Sequence, residues 1–232
     1  MQYFYIPDFE INSNCLTEED SRHCIKVLRL KKGDVIGILD GNGLTATAHL
    51  VNQDYKNTQF QIAEKTFFKS PACSIHIAIA PPKNIDRFEW FLEKATEIGI
   101  TNVTPVICSR SERKKLNNER LDKVIISALK QSQNPYKPIL NAMIDFSEFI
   151  NISDPNSQKF IAHYEKNNLH FKEMYLKEKN ALILIGPEGD FDEKEISLAK
   201  LNGFEMINLS TNRLRTETAG LTACMFFNLL NG

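Results

Sequence analysis

From residue 74 to the end of the sequence, short apolar runs alternate with longer amphipathic segments, and this alternation constrains the fold more than any other feature. Apolar runs of strand length are typical of strands buried on both faces, and strands separated by helices pair in parallel. We therefore predict an α/β domain with a mostly parallel sheet covered by helices. The predicted strands are 74–80, 103–108, 138–144, 159–164, 181–185 and 204–209, and the predicted helices are 86–98, 118–133, 168–178, 192–202 and 216–230.

The first 70 residues follow a different pattern, in which β-type segments predominate. Strands are predicted at 2–6, 35–39, 44–51 and about 58–67. Thr17 followed by Asp20 indicates the start of one short helix that extends to Leu30. This arrangement suits a small β-barrel, and Lys69-Ser70-Pro71 interrupts the pattern. We therefore predict a barrel domain over 1–70 and an α/β domain over 71–232.

The composition argues against several classes of protein. A formal net charge of -1 argues against a basic coat over the whole surface. The five cysteines form no C-x-x-C pair and the five histidines lack metal-ligand spacing, so we expect no metal site. No apolar run approaches the roughly 20 residues that span a bilayer, and we expect no membrane partner. The odd number of cysteines and the lack of a signal peptide predict a soluble protein in a reducing cytoplasm.

Positive charge is concentrated in two segments, the short helix near residue 23 and the polar loop 109–120. Such segments are either solvated surface or contacts to the phosphates of a nucleic acid. On the second interpretation the candidate RNA-binding residues are His23, Lys26, Arg29, Arg110, Arg113 and Lys114.

Two polar segments near the end of the sequence each follow a predicted strand. Gly186-Pro187-Glu188-Gly189 follows strand 181–185, and 213–219 carries two arginines just before the last helix. Ligands of open α/β sheets bind beyond the carboxyl ends of the strands, so both segments are expected to face one site. The sequence contains no P-loop, dinucleotide fingerprint or G-x-S-x-G elbow, which argues against a nucleotide-dependent enzyme and a serine hydrolase.

Four separated motifs occur in order along the chain: Lys83-x-x-Asp86-Arg87-x-Glu89-Trp90, Lys94-Ala95-Thr96-Glu97-Ile98-Gly99, Gly186-Pro187-Glu188-Gly189 and Leu214-Arg215-Thr216-Glu217-Thr218-Ala219. His23 to Arg29 adds a His-x-x-x-Val-Leu-Arg motif. Together these motifs resemble the RsmE family, the ribosomal small-subunit RNA uridine-N3 methyltransferases of the SPOUT superfamily. The resemblance covers essentially the whole chain.

The resemblance implies an N-terminal PUA-like β-barrel and a C-terminal SPOUT domain whose last strands and final helix form a trefoil knot. It implies that the knot binds S-adenosyl-L-methionine, that the protein is a homodimer, and that it methylates uridine N3 in small-subunit (16S) ribosomal RNA. Ribosomal RNA or the small ribosomal subunit is then the expected partner. The implied cofactor-binding residues are Ala162, His163, Tyr164, Leu184, Ile185, Gly186, Pro187, Glu188, Gly189, Leu209, Ser210, Arg213, Leu214, Arg215, Thr216, Thr218 and Ala219.

Arg215 and Glu217 are the candidate catalytic residues of the implied site. Loss of the uracil N3 proton places negative charge on the flanking carbonyl oxygens, which the Arg215 guanidinium can stabilise, and Glu217 can accept the proton. Alternatively, Arg215 forms a structural pair with Glu188 or Glu217. The sequence departs from the family pattern at Asp190, where many relatives have glycine, and at 210–212, which replaces a stretch that usually contains glycine.

Two other functions stay open at this point. One is a SPOUT methyltransferase that acts on another RNA atom, such as a ribose 2′-hydroxyl. The other is a non-catalytic RNA-binding ribosome-assembly factor, although Gly186, Gly189, Arg215 and Glu217 would be unnecessary in it. The last helix, 216–230, has almost no polar face and is predicted to be buried all round, in the core or against another subunit.

Overall fold

The computed structural model describes residues 1–7, 9 and 14–232. The strands of these residues form two separate sheets. One sheet has four strands and the other has seven. The chain divides into two compact units, 1–70 with 126–137 and 71–125 with 138–232. The first unit contains the smaller sheet, and the second contains the larger sheet.

The smaller sheet has the order β1-β2-β3-β4. Its strands are β1 (Gln2–Tyr5), β2 (Val35–Leu39), β3 (Leu44–Leu50) and β4 (Phe60–Phe67). Strand β1 is parallel to β2, whereas β3 is antiparallel to both of its neighbours. Helix α1 (Glu18–Arg22) begins after Thr17, whose side chain accepts a hydrogen bond from the Asp20 amide as predicted, and it continues as a π-helical turn (His23–Val27).

The larger sheet is parallel throughout, as predicted from the alternation of strands and helices. Its strand order is β11-β9-β10-β5-β6-β7, with β8 also paired to β6. The strands are β5 (Ile75–Ile79), β6 (Asn102–Ile107), β7 (Ile139–Leu140), β8 (Ile144–Asp145), β9 (Gln158–Ala162), β10 (Ala181–Ile185) and β11 (Glu205–Ile207). Because β10 lies in the middle and is buried along its whole length, apolar side chains cover both faces of the sheet.

Six further helices follow the order of the chain: α2 (Ile85–Ile98), α3 (Asn118–Ser132), α4 (Phe146–Ile152), α5 (Phe171–Met174), α6 (Glu193–Leu201) and α7 (Thr216–Asn231). Local signals fix several of their ends. Gly99 ends α2 with a φ of 108°, which few residues other than glycine adopt. Asp192 and Glu195 form the predicted capping box at the start of α6.

The structure corrects three of the predicted elements. The region 138–144 forms two short strands, β7 and β8, and the helix α4 that follows them was not predicted. The predicted helix 168–178 is the single turn α5, because Tyr175 has extended backbone angles and ends it. The last helix is not buried all round, since Met225 is 47% exposed and Leu229 is 69% exposed.

Helix α7 packs against α2 and also contacts β5 and β10. Gly220 makes the close approach to α2 possible, because a Cβ atom at this position would lie 2.7 Å from Cε2 of Phe91. The buried side of α7 is therefore fitted to the core, and its apolar exposure is confined to the other side.

The segment between β11 and α7 runs against the loop that follows β9. The Asn208 side-chain amide donates hydrogen bonds to the carbonyls of Glu165 (2.7 Å) and Asn168 (3.0 Å), and the Tyr164 hydroxyl donates to the Thr211 carbonyl (3.0 Å). The chain thus leaves β11 at one edge of the sheet, passes the end of β9 and returns to cover β10 and β5 with α7.

Candidate functional site

A cavity of about 310 Å³ lies at the carboxyl ends of β9, β10 and β11. This volume is at the lower end of the range of roughly 300–1,000 Å³ that is usual for small-molecule sites. Three chain segments line the cavity, namely Ala162–Tyr164, the loop after β10 and the stretch from β11 into α7. The lining residues are Ala162, His163, Tyr164, Ile185, Gly186, Pro187, Glu188, Asp190, Ile207, Asn208, Leu209, Ser210, Asn212, Arg213, Leu214, Arg215, Thr216 and Ala219.

Most of the residues proposed from the sequence for cofactor binding are brought together around this cavity. Leu184, Gly189 and Thr218 do not line it, and the Leu184 side chain is fully buried in the sheet. Sequence reasoning missed Asp190, Ile207, Asn208 and Asn212 as lining residues. Asn208 lies inside the predicted strand 204–209, whereas β11 ends at Ile207 and leaves Asn208 at the cavity.

The first wall is the loop Gly186–Asp190, which leaves the middle of the sheet. Its start is fixed on α7, because the Thr216 hydroxyl donates a 2.9 Å hydrogen bond to the Gly186 carbonyl. Its end is a turn in which the Asp190 amide donates to the Pro187 carbonyl (2.9 Å). Asp190 has a φ of 64°, in the left-handed region that glycine adopts most readily. Asp190 therefore has a glycine-like backbone at the position where the resemblance implies that glycine is common.

The Asp190 carboxylate links the Gly186–Asp190 loop to the Ala162–Tyr164 segment at the end of β9. Its Oδ1 accepts a 2.8 Å hydrogen bond from the Phe191 amide, and its Oδ2 lies 3.0 Å from Nδ1 of His163. The other ring nitrogen of His163, Nε2, lies 3.5 Å from Oε1 of Glu165. The His163 side chain is only 16% exposed, so this imidazole is held between two carboxylates at the cavity.

The two candidate catalytic side chains have different surroundings. Arg215 is exposed and lines the cavity, and its side chain makes no hydrogen bond or ion pair with any residue that the structure describes. Glu217 is buried and does not line the cavity; its Oε1 lies 3.8 Å from Nε of Arg87, and its Oε2 has no hydrogen-bond partner among the described residues. Glu188 Oε1 accepts a 3.1 Å hydrogen bond from the Lys83 amide. The alternative pairing of Arg215 with Glu188 or Glu217 is therefore absent from the described residues.

The basic residues proposed to bind RNA are only partly available for phosphates. Arg110 donates to the carbonyls of Gly189 and Phe191, and Arg113 donates to those of Pro82 and Lys83, whereas Lys114 is exposed. These four hydrogen bonds use the two guanidinium groups within the second unit.

The first unit contains the other proposed RNA contacts, His23, Lys26 and Arg29. The Lys26 ammonium lies 4.1 Å from the centre of the Tyr55 ring, and Arg29 has a left-handed φ of 58°. Arg22, on the same helix, is paired with Glu18 at 2.8 Å, so the segment is less uniformly basic than the sequence suggests.

The described residues contain no cluster of three or more histidine, cysteine or acidic side chains that could hold a metal ion. Across the same ranges, no helix has both the length and the apolar character needed to cross a membrane.

Two family profiles match the chain. One, described as an RNA methyltransferase domain, matches residues 69–228, and the other, described as an RNA methyltransferase PUA domain, matches residues 16–56. The first match contains the parallel sheet, and the second contains β2, β3 and helix α1 of the first unit. They define the class of the protein as an RNA methyltransferase that carries a PUA domain.

Curated relatives make the assignment more specific. Ribosomal RNA small subunit methyltransferase E of Synechocystis sp. is 30% identical over 224 residues, which are 93% of this chain and 72% of that protein. The protein of the same name from Aquifex aeolicus is 26% identical, with 94% of this chain and 95% of that protein covered. The chain belongs to the ribosomal RNA small subunit methyltransferase E family, which confirms the resemblance noted from the motifs.

Solved structures agree with this assignment. A probable rRNA-methyltransferase from Porphyromonas gingivalis is 35% identical and superposes with a TM-score of 0.93, covering 100% of this chain and 98% of that chain. A ribosomal RNA small subunit methyltransferase E from Neisseria gonorrhoeae, solved bound to S-adenosyl methionine, is 26% identical with a TM-score of 0.87 and the same coverage. The predicted fold class, a SPOUT-type α/β domain with a PUA-like N-terminal unit, is confirmed.

Proposed function

We propose that this protein transfers the methyl group of S-adenosyl-L-methionine to N3 of a uridine in small-subunit ribosomal RNA. The observation that carries the proposal is the cavity at the carboxyl ends of β9, β10 and β11, in a chain whose relatives are named ribosomal RNA small subunit methyltransferase E. The relative from Neisseria gonorrhoeae was solved with S-adenosyl methionine bound.

The residues around the cavity fit this cofactor. Apolar side chains such as Ile185, Leu209 and Leu214 suit its adenine ring, whereas Glu188 and Asp190 supply carboxylates for a ligand with positively charged sulfonium and amino groups. Nδ1 of His163 lies 3.0 Å from Oδ2 of Asp190 but not in the geometry of a hydrogen bond, so a polar group of a ligand can still pair with it. We propose that those residues named from the motifs that line the cavity, other than Arg215, hold the cofactor.

When bound, S-adenosyl-L-methionine supplies an electrophilic methyl group, which an RNA nitrogen can attack in line. The protein must hold that nitrogen in near-attack geometry, and much of the rate comes from this positioning. Arg215 is suited to the charge that develops on the uracil carbonyl oxygens, because its guanidinium is exposed at the cavity and unpaired among the described residues.

Glu217 is proposed as the acceptor of the N3 proton. A buried carboxylate oxygen without a hydrogen-bond partner is costly, and Oε2 of Glu217 is in this condition. Uptake of a proton, or a donor from the RNA, would remove that cost. Because Oε1 lies near Arg87 and Glu217 does not line the cavity, this role requires the Glu217 side chain to move toward the substrate.

RNA docking is proposed for the first unit and for the loop after β6. His23, Lys26, Arg29 and Lys114 are the available cations, and the division at residue 70 would separate an RNA-binding domain from the methyltransferase domain.

We propose that the return of the chain past β9 forms the trefoil knot. The substrate, ribosomal RNA or the small ribosomal subunit, is found in the cytoplasm, and we propose this location for the protein.

Homodimer formation is proposed through the exposed side of α7. Met225 and Leu229 are exposed apolar side chains on this helix, and Leu221, Phe226 and Leu230 beside them are half-buried. Exposed apolar patches mark interaction sites, and a second copy of the same helix would cover this one.

Calorimetric titration with S-adenosyl-L-methionine tests the cofactor, and mass spectrometry of nucleosides from methylated ribosomal RNA tests the target atom. We expect saturable binding and 3-methyluridine as the product. A methylated ribose would show the alternative SPOUT reaction, and failure to bind the cofactor would support an RNA-binding assembly factor instead.

A further inference from the structure

The loop after β6 is bound directly to the loop that forms the first wall of the cavity. Arg110 Nη1 donates hydrogen bonds to the Gly189 carbonyl at 2.7 Å and to the Phe191 carbonyl at 3.4 Å. The aliphatic part of the same side chain lies against Gly189, where a Cβ atom would be 3.3 Å from both Cβ and Cδ of Arg110. The guanidinium that the sequence suggests for RNA is thus used on two backbone carbonyls.

A buried carboxylate in α6 joins the loop after β6 to the start of this helix, which directly follows the Gly186–Asp190 loop. Glu195 is 8% exposed; its Oε1 accepts a 2.7 Å hydrogen bond from the Ser109 amide, and its Oε2 accepts a 2.8 Å hydrogen bond from the Asp192 amide. Arg110 and Glu195 therefore hold the end of the Gly186–Asp190 loop from one side, while Thr216 holds its start from α7.

The loop after β5 is joined to the same assembly. Arg113 Nε donates to the Pro82 carbonyl at 3.1 Å, and its Nη2 donates to the Lys83 carbonyl. The Lys83 amide in turn donates to Oε1 of Glu188, which lies in the cavity wall. Three loops at the carboxyl edge of the sheet are consequently bonded to one another.

We propose that Arg110 is a positioning residue for the cofactor, which it serves by fixing the carbonyl groups of the Gly186–Asp190 loop rather than by touching RNA. The inference rests on the proposed function, because it assigns a role at the same cavity. A loop that is held in its binding conformation before the ligand arrives avoids the ordering cost of binding, so the contact raises affinity without touching the ligand.

The test compares cofactor affinity among full-length variants in the absence of RNA. We expect Arg110→Ala to weaken S-adenosyl-L-methionine binding about tenfold, as loss of a charge-assisted hydrogen bond would. Arg110→Lys keeps a donor and should recover part of the affinity. Lys115→Ala removes a charge from the same loop without removing any hydrogen bond to the wall, and its affinity should equal that of the wild type.

Gly189→Ala tests the contact without changing any charge. Gly189 does not have a positive φ, so alanine is compatible with the backbone, but its Cβ would press on the Arg110 side chain. We expect Gly189→Ala to weaken cofactor binding in the wild-type background and to have little further effect in the Arg110→Ala background, since contacting residues are not additive.

Hydrogen exchange of the amides of 186–191, measured without cofactor, gives a readout that is independent of binding. Faster exchange in Arg110→Ala supports the proposal, and thermal unfolding of each variant shows whether it is folded; should Arg110→Ala not fold, Arg110→Lys and Gly189→Ala provide the comparison. Unchanged cofactor affinity and exchange, with weaker RNA binding, would overturn the proposal and make Arg110 an RNA contact. If the wild type itself does not bind the cofactor, the proposed function fails, while the exchange result still decides whether Arg110 holds the loop.

Discussion

Oδ2 of Asp190 lies 3.0 Å from Nδ1 of His163, and this pair joins the loop after β10 to the end of β9 across the cavity wall. Both residues line the cavity. Asp190 makes this contact from a backbone φ of 64°, in the left-handed region.

Asp190 should therefore respond differently to glycine and to alanine. Both Asp190→Gly and Asp190→Ala remove the contact to His163 and should weaken S-adenosyl-L-methionine binding. Alanine in the left-handed region costs about 1–2 kcal/mol, whereas glycine adopts it freely. Asp190→Ala should consequently be the less stable variant by about 1 kcal/mol in urea unfolding, and equal stabilities would contradict the role of the backbone angle.

Arg215→Ala should separate binding from turnover. The guanidinium has no partner among the described residues, so its removal should leave cofactor affinity and stability nearly unchanged. Loss of a charge-stabilising donor typically lowers turnover by about 10²–10³-fold. Calorimetry and single-turnover methylation of ribosomal RNA measure the two effects, and an unchanged rate would remove Arg215 from the mechanism.

The dimer proposal is tested by placing a charge on the exposed side of α7. Leu229 is 69% exposed, so Leu229→Glu should not disturb the fold, but it should convert the dimer into monomers in sedimentation at micromolar concentration. The matched control is Leu201→Glu on α6, at a side chain that is 84% exposed, which should stay dimeric. A wild-type protein that is strictly monomeric would exclude the dimer.

Stability should depend on pH through His76 in the larger sheet. Burial lowers the pKa of His76 to about 4, and its Nε2 lies 2.7 Å from the Thr104 hydroxyl oxygen. The unfolded chain takes up a proton near pH 6.5 and the folded chain does not, so stability is full above pH 6.5 and falls as the pH decreases toward 4. The resulting decrease in the free energy of unfolding is at most about 3 kcal/mol.

The variant His76→Gln should show a smaller decrease of unfolding free energy over this pH range than the wild type does. Chemical denaturation at several pH values between 4 and 6.5 measures the difference. Identical slopes for the two proteins would mean that other groups cause the acid sensitivity.

Phosphate contacts in the first unit predict a salt effect on RNA binding. Removing one contacting cation should reduce the slope of log affinity against log salt by roughly 0.7–0.9. Lys26→Ala should show this reduction, although the Lys26 ammonium also lies over the Tyr55 ring. Tyr55→Leu keeps the cation and should preserve the slope; a slope that does not change in Lys26→Ala would contradict docking at this helix.

The sequence was most informative where local physical signals fix the chain. The run 181–185 is the strand β10 as predicted. Gly99 ends α2, and the capping box of Asp192 and Glu195 begins α6, both as predicted. The predictions were wrong where packing against distant parts of the chain sets the length of an element. The region 138–144 forms two short strands beside β6, and the helix before Tyr175 stops after one turn.

The site could be predicted only in part for a related reason. The motifs brought forward Gly186 and the 213–219 segment, but Asp190 and Asn208 act through partners far away in the sequence, at His163 and Glu165. The contacts of Arg110 could not be predicted from its charge, because its two carbonyl partners lie on a loop that follows another strand. No local pattern specifies such contacts.

Helix α7 connects two places that would otherwise be independent. At its first residue, Thr216 is bonded to the Gly186 carbonyl at the cavity, and Leu229 on its exposed apolar side lies about 20 Å further along at 1.5 Å per residue. A helix is stiff along its axis, so a displacement at one end reaches the other almost undiminished. In the proposed dimer, the conformation of the cavity and the contact between the two subunits are therefore linked through this one helix.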